Sequence, residues 1–386
     1  MKKVVMRECP DYTPDIVKAK LKESLDALGG LEKWIKPGER VFLKVNLLTG
    51  KEPKEAVTTH PQLVKALTEL LMEIGALVTL GDSPAGPFLQ GRMKKIYQLT
   101  GMTAVAKETG ASLNWNLEPD SVYFSEGYRL KDFYVMKAIN ETDHIINVSK
   151  MKTHSMTMMT GAVKNMFGIM PGLKKAELYF RFTDPVEFGH AMVDICEYAS
   201  PILSIMDGIE AMEGAGPSAG DVVKNGLILV SEDPYSLDIV ASEHMGITPD
   251  SVPTLKAARQ RNLCQSLEKV KLDTSAGEGT PKSFKLPDTR EPDFLEKYGR
   301  WPVVGSIFKQ ISRKHLRPKP VVNPKKCTKC KECYTICPAE AIDMMEKVPG
   351  FRYDKCIRCY CCQEVCPEKA IWIFRPKILK WFGGTK

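Results

Sequence analysis

Apolar positions over the first two thirds of the chain fall into two alternating kinds of run. Short, nearly unbroken apolar stretches at 4–9, 40–48, 76–84, 143–152, 202–212 and 226–234 read as buried strands. Between or after them, 14–29, 60–75, 186–199 and 235–246 carry apolar residues three and four apart, the period of an amphipathic helix. Continuous apolar strands alternating with such helices predict an α/β domain over residues 1–275, with a mainly parallel sheet of the three-layer type.

The pattern then changes. Residues 276–324 are rich in turn-formers and hold a basic stretch, which reads as a linker packing along the surface. Arg313, Lys314 and Arg317 in it would either attract an acidic electron donor or form a solvated face. Residues 325–373 contain an internal repeat with a constant offset of 29, so that Cys327, Cys330, Cys333 and Cys337 map onto Cys356, Cys359, Cys362 and Cys366. The last stretch, 374–386, mixes Trp381 and Phe382 with Lys377 and Lys380. It would pack on the chain itself or rest on an anionic membrane surface.

Cysteine usage decides what the repeat is for. Of 12 cysteines, nine fall within residues 327–366, while Cys9, Cys196 and Cys264 are scattered and read as small buried hydrophobes. Such clustering without an apparent secretory segment points to metal ligands in the cytoplasm rather than to a disulfide framework. Each half has the spacing C-x2-C-x2-C-x3-C-P, in which one tight loop brings three thiolates to one iron–sulfur cubane and the fourth serves the other. Zinc would want two cysteine pairs instead. The repeat resembles bacterial two-cluster ferredoxins. One [4Fe–4S] cluster is then expected on Cys327, Cys330, Cys333 and Cys366, and a second on Cys356, Cys359, Cys362 and Cys337, giving a small α+β ferredoxin-like domain. Cys361 reads as a spare thiol.

Charge adds a modest constraint. The formal net charge is +8, and eight thiolates on two clusters bring the working value to about +4. That suits small anionic ligands and argues no nucleic acid partner. No apolar run approaches the ~20 residues needed to span a bilayer.

Polar residues interrupt the apolar strands at their C-terminal ends, where open α/β sheets bind ligands. Lys44 and Asn46 stand in 40–48; Lys150, Lys152 and His154 follow at spacing two, on one face of an extended chain; Lys164 and Asn165 come just beyond. This basic set would bind a small anionic substrate or cofactor. His154 is expected to donate a proton, with Glu213 or Asp207 sharing that task or holding a metal. Thr59 reads either as a helix N-cap or as a ligand contact, and Asp233 as a helix cap. No flavin fingerprint is present, and a second cofactor stays unknown.

The segments KVNLL, TTHPQLVKAL, GDSP, SKMKTHSMTMMTGAVKNMFG and DGIEAMEGAGPSAGD resemble the domain-of-unknown-function 362 family of iron–sulfur proteins, over roughly residues 1–250. The resemblance implies a ferredoxin module joined to an α/β domain and no settled substrate. An oxidoreductase fed by a soluble low-potential electron carrier or redox enzyme is the leading expectation. A non-enzymatic electron-transfer subunit or assembly factor, and a non-redox enzyme with structural clusters, remain the alternatives.

Overall fold

The computed structural model describes residues 2–264, 266–274, 282–287, 318–344 and 348–374. The large domain contains β1 (Lys2–Glu8), β2 (Arg40–Lys44), β3 (Leu77–Gly81), β4 (Ser112–Leu113), β5 (Pro119–Tyr123), β6 (Asp132–Met136), β7 (His144–His154), β8 (Met158–Thr160), β9 (Leu203–Glu213), β10 (Asp221–Ser231) and β11 (Val270–Thr274). One sheet runs in the order β11-β1-β10-β9-β7-β2-β3-β4, with β8 folded back on the end of β7. Strands β9, β7, β2, β3 and β4 are mutually parallel, and β10 is antiparallel to both β9 and β1. Strands β5 and β6 form a separate hairpin.

Period-two alternation splits each central strand between two cores. Val41, Leu43, Val148 and Ile205 face the helices Pro14–Asp26, Pro61–Glu73, Gln90–Leu99 and Met102–Thr109. Phe42, Met206 and Leu229 face Pro185–Ala199, Pro234–His244 and Pro253–Gln260. The result is three layers. From β2 the chain continues outward to β3 and β4, then returns to the other side of β2 for β7 and β9. The carboxyl ends of β2 and β7 therefore flank the point where strand order reverses, the usual ligand crevice of such sheets.

Capping follows the sequence in one case and departs from it in another. Asp233 accepts the N–H of Ser236 at 2.8 Å and caps the helix after it. The cap of Pro61–Glu73 is His60, whose Nδ1 accepts from Gln62, because Thr59 bridges β2 and β7 instead, accepting from Asn46 N and donating to Val148 O.

Residues 282–287 lie on the large domain, with Phe284 buried and backbone bonds to His244 and Met245. The rest of the basic linker, including Arg313, Lys314 and Arg317, and the tail beyond residue 374 lie outside the described residues. The cysteine domain starts earlier than 325, because β12 (Lys319–Val322) pairs with β15 (Ile371–Phe374); β13 (Ile342–Met344) and β14 (Pro349–Phe351) form a second pair. Two short helices, Glu332–Ile336 and Cys361–Glu364, complete it. Among the described residues no helix is long and apolar enough to cross a membrane.

Candidate functional site

The cysteines line two small cavities of about 350 Å³ each. Cys327, Cys330, Cys333 and Cys366 surround one, together with Val322, Ala370 and Ile371. Cys337, Cys356, Cys359 and Cys362 surround the other, with Ala341, Ile342 and Phe351. Each set borrows its fourth thiol from the opposite half of the repeat. Ala341 N–H donates to Cys337 Sγ and Ala370 N–H to Cys366 Sγ, both at 3.2 Å, so the two halves also repeat their N–H···S bonds. Four such sulfurs around each cavity, at the repeat's spacing, suit thiolate-ligated iron–sulfur clusters.

The helix Cys361–Glu364 plugs this module into the large domain. Cys361, Val365 and Ile336 join the apolar core beneath the sheet. Gln363 and Glu364 are buried, with Ser155 Oγ donating to Gln363 Oε1 at 3.1 Å and Ser218 Oγ to Gln363 O at 3.4 Å. Arg92–Glu332 and Lys51–Pro367 contacts flank the joint. In the other half of the repeat the equivalent residues are Tyr334 and Thr335, both exposed. The pseudo-symmetry is broken where the module must dock.

Between plug and sheet lies a cavity of about 660 Å³, counted to its open mouth. Lys44, Lys152, Lys164 and Lys175 line it, with Asn46, Asp82, Thr160 and Asn165, and Glu364 and Cys361 form the wall opposite. Cys361 also lines the cavity of Cys337, Cys356, Cys359 and Cys362, so one residue separates a thiol-lined cavity from the lysine-lined one.

Each lysine is held differently. Lys44 Nζ pairs with Asp82 Oδ1 at 2.8 Å and donates to Val45 O at 2.7 Å. Asp82 Oδ2 also accepts the N–H of Leu47, which ties the ends of β2 and β3 together. Gly168 packs against this pair, and a Cβ there would collide with Asp82 Oδ1 and Lys44 Nζ. Lys152 Nζ donates to Asn46 Oδ1 at 2.7 Å and to Val57 O at 2.5 Å. Lys175 Nζ donates to Ser83 O, Ser83 Oγ and Met170 O. Burial pushes the Lys175 ammonium down to about 7, and lowers Lys44, Lys152 and Lys164 as well. Lys164 has no hydrogen-bond or ion-pair partner for Nζ among the described residues; it stands over the Phe167 ring, with the centroid 5.9 Å away, and feels the charge of Glu364.

The turn carrying Lys164 is built for its place. Asp238, fully buried, accepts the N–H groups of Ala162 and Val163 and so anchors the start of Ala162–Asn165. A Cβ on Gly161 would overlap that carboxylate. Burial raises the Asp238 carboxyl to about 7 against the two N–H bonds that favour its ionised form. Asn165 then joins Asn46 and Asn147, accepting from Asn46 Nδ2 at 2.8 Å and donating to Asn147 Oδ1 at 2.7 Å.

Four sequence expectations change here. His154 does not line the cavity and is no proton store: burial takes it down to about 4, and its Nδ1 accepts the N–H of Met156 at 3.0 Å. The remaining ring proton is on Nε2, 3.2 Å from Glu364 Oε1 but poorly aligned for a hydrogen bond. His154 therefore faces Glu364 as a neutral ring. Asp207 is tied up behind the cavity, pairing with Lys150 at 2.9 Å and accepting from Tyr12 OH at 2.7 Å and from the N–H of His60. Lys150 is thereby removed from the ligand-binding set. Glu213 turns to the linker, accepting the N–H of Lys285 and pairing with its ammonium at 3.1 Å. Lys175, Thr160, Tyr179, Glu364 and the doubly placed Cys361 were missed as site residues.

An α/β domain whose ligand crevice is closed by a ferredoxin-type module defines an iron–sulfur protein of composite build. A family model described as a 4Fe-4S dicluster domain matches residues 319–367. A second, described as a domain of unknown function, DUF362, matches residues 41–243, and the chain belongs to that family. It is 32% identical to the "thylakoid-associated protein sll1697" of Synechocystis over 314 residues, 81% of this chain and 95% of that protein. Among solved structures, the lactate racemase apoprotein from Thermoanaerobacterium thermosaccharolyticum is similar at TM-score 0.41 and 11% identity, over 62% of this chain and 56% of the racemase chain.

Proposed function

We propose that this protein is an iron–sulfur oxidoreductase that passes electrons through two [4Fe–4S] clusters to a small anionic molecule in the lysine-lined cavity. The observation that carries the reading is Cys361, which lines both that cavity and the one surrounded by Cys337, Cys356, Cys359 and Cys362. Those four thiolates would hold the inner cluster, and Cys327, Cys330, Cys333 and Cys366 the outer one. Such clusters, when bound, supply single electrons over a wide range of potential.

The residues of the chain do the rest. Lys164, held near the ligand without a partner of its own, binds negative charge, and its lowered affinity for a proton lets it release one to a reduced product. Glu364 stays ionised, because the Lys164 and Lys152 ammoniums, with the neutral His154 ring facing it, outweigh the effect of its burial, and it limits the positive charge that the ligand meets. The module itself excludes water from one side of the cavity.

Electrons enter at the outer cluster. Cys330 is exposed there, and Lys325, Lys326, Lys329 and Lys331 are exposed around it with no ion pair among the described residues. This ring suits an acidic soluble carrier. The cytoplasm is the proposed location. The thylakoid association of the Synechocystis relative favours a second reading, an electron-transfer subunit at a membrane surface. Stopped-flow mixing of the dithionite-reduced protein with anaerobic metabolite fractions tests the first. Re-oxidation should slow in Lys164→Gln at unchanged iron content, whereas re-oxidation indifferent to Lys164 would leave the cavity without a role.

A further inference from the structure

The hydrogen-bond donors facing this cavity are few, and their number limits what it holds. Of the four lysines, Lys44 and Lys175 spend their ammonium groups on Asp82, Ser83 and main-chain oxygens, and Lys152 gives two bonds to Asn46 and Val57. Among the described residues, Lys164 is the one of the four whose ammonium has no hydrogen-bond or ion-pair partner. On the wall of the same cavity, Thr160 is 4% exposed and its Oγ1 has no hydrogen-bond partner among the described residues. Both side chains are more than nine-tenths buried, and an unsatisfied polar group in such a place is costly unless a ligand completes it.

The rest of the wall is of another kind. Leu48, Phe167, Tyr179, Pro217 and Ile336 supply apolar surface, and Phe167 and Tyr179 are fixed edge-on to each other with ring centroids 5.7 Å apart. Asp82 neutralises Lys44, and the Glu364 carboxylate faces the same space. A polyphosphate would need several uncommitted cations and a run of free backbone N–H groups. A bare inorganic oxyanion would leave the apolar wall uncovered.

We infer that the cavity takes an organic acid with a single carboxylate and an apolar body, the carboxylate bonded by Lys164 Nζ and Thr160 Oγ1 and the body lying against Phe167 and Tyr179. This rests on the proposal that the cavity is a ligand site, and it makes no use of electron transfer. One ammonium and one hydroxyl match the two oxygens of a carboxylate.

Titration calorimetry on the full-length protein with its clusters loaded and oxidised tests it, using benzoate and hexanoate, their neutral amides, and inorganic phosphate and pyrophosphate. The acids should bind, the amides at least tenfold more weakly. Lys164→Gln should weaken the acids tenfold or more and bring acid and amide together. Thr160→Val should weaken the acids severalfold and keep the preference for acid over amide. If phosphate or pyrophosphate binds more tightly than either acid and depends on Lys164 in the same way, the ligand class is wrong and the site stands. If none of the six binds, or binding ignores both substitutions, the site falls as well. Should Lys164→Gln fail to fold, the comparison of acid with amide in the unaltered chain and in Thr160→Val decides.

Discussion

Replacing Asp82 by asparagine keeps the shape of the side chain and removes one charge from a pair that is almost wholly inaccessible, at 0% and 4% side-chain exposure for Lys44 and Asp82. At a separation of 2.8 Å and an effective dielectric of about 20, the lost attraction is about 6 kcal/mol. Lys44 responds by releasing its proton or admitting water. The expected net cost is therefore nearer the ~3–5 kcal/mol typical of breaking a buried pair. The bond from Leu47 N–H to Oδ2 joins β2 to the residue after β3, so the loss is felt where these strands end. Native-state hydrogen exchange of the β2 and β3 amides reads it: Asp82→Asn should speed exchange by between about a hundredfold and a few thousandfold. The double variant Lys44→Met, Asp82→Asn removes both charges and should recover most of the protection. Exchange unchanged in Asp82→Asn, or a double variant no better than the single one, would refute the reasoning.

Other substitutions probe neighbouring links. Gly161→Ala drives a methyl into the Asp238 carboxylate and should cost about 1–3 kcal/mol in urea unfolding, while the same change at the open Gly91 should cost little. His154, at about 4 in the folded chain against the ordinary 6.5, binds its proton more readily when unfolded. Its contribution is complete above pH 6.5 and is lost as the pH falls towards 4, by about 3 kcal/mol in all. His154→Gln should flatten that part of the pH profile of exchange at the end of β7, and an unaltered slope would sink the assignment. Cys361→Ser should retain all the iron of the anaerobically reconstituted protein, whereas Cys359→Ser should lose about half. Neutralising Lys325, Lys326, Lys329 and Lys331 together should slow reduction by an acidic carrier and reduce its salt dependence; rates equal at low and high salt in both proteins would place electron entry elsewhere.

What the sequence disclosed, and what it hid, follows from range. The strands and the helices after them were readable because each buries a continuous or periodic face, as in Val41–Leu43 and Leu63–Leu71. Helices Gln90–Leu99 and Lys174–Arg181 were not read, since each buries only two or three side chains beneath a basic exterior. Lys44, Lys152, Lys164 and Asn165 stood out in the sequence as polar residues within or just beyond apolar strands, and all four line the cavity. Lys175 did not stand out, because it looks like any lysine on an exposed helix until Ser83 and Met170 close over it. Glu364 lies two hundred residues or more from Lys164, His154 and Lys152, and the departure of Gln363 and Glu364 from the repeat is the sequence's mark of the docking face. The role given to His154 failed for a physical reason: its spacing along β7 was right, but burial and the Met156 N–H leave it neutral and turned toward Glu364.

In the proposed function the lysine cavity lies close to one of two clusters and away from the other. A redox titration followed by electron paramagnetic resonance, run on the unaltered protein and on Lys164→Gln, measures that closeness. Removing the ammonium should make one cluster harder to reduce and leave the other where it was. Potentials that both stay put, or a shift confined to the cluster lost in Cys327→Ser, would contradict it.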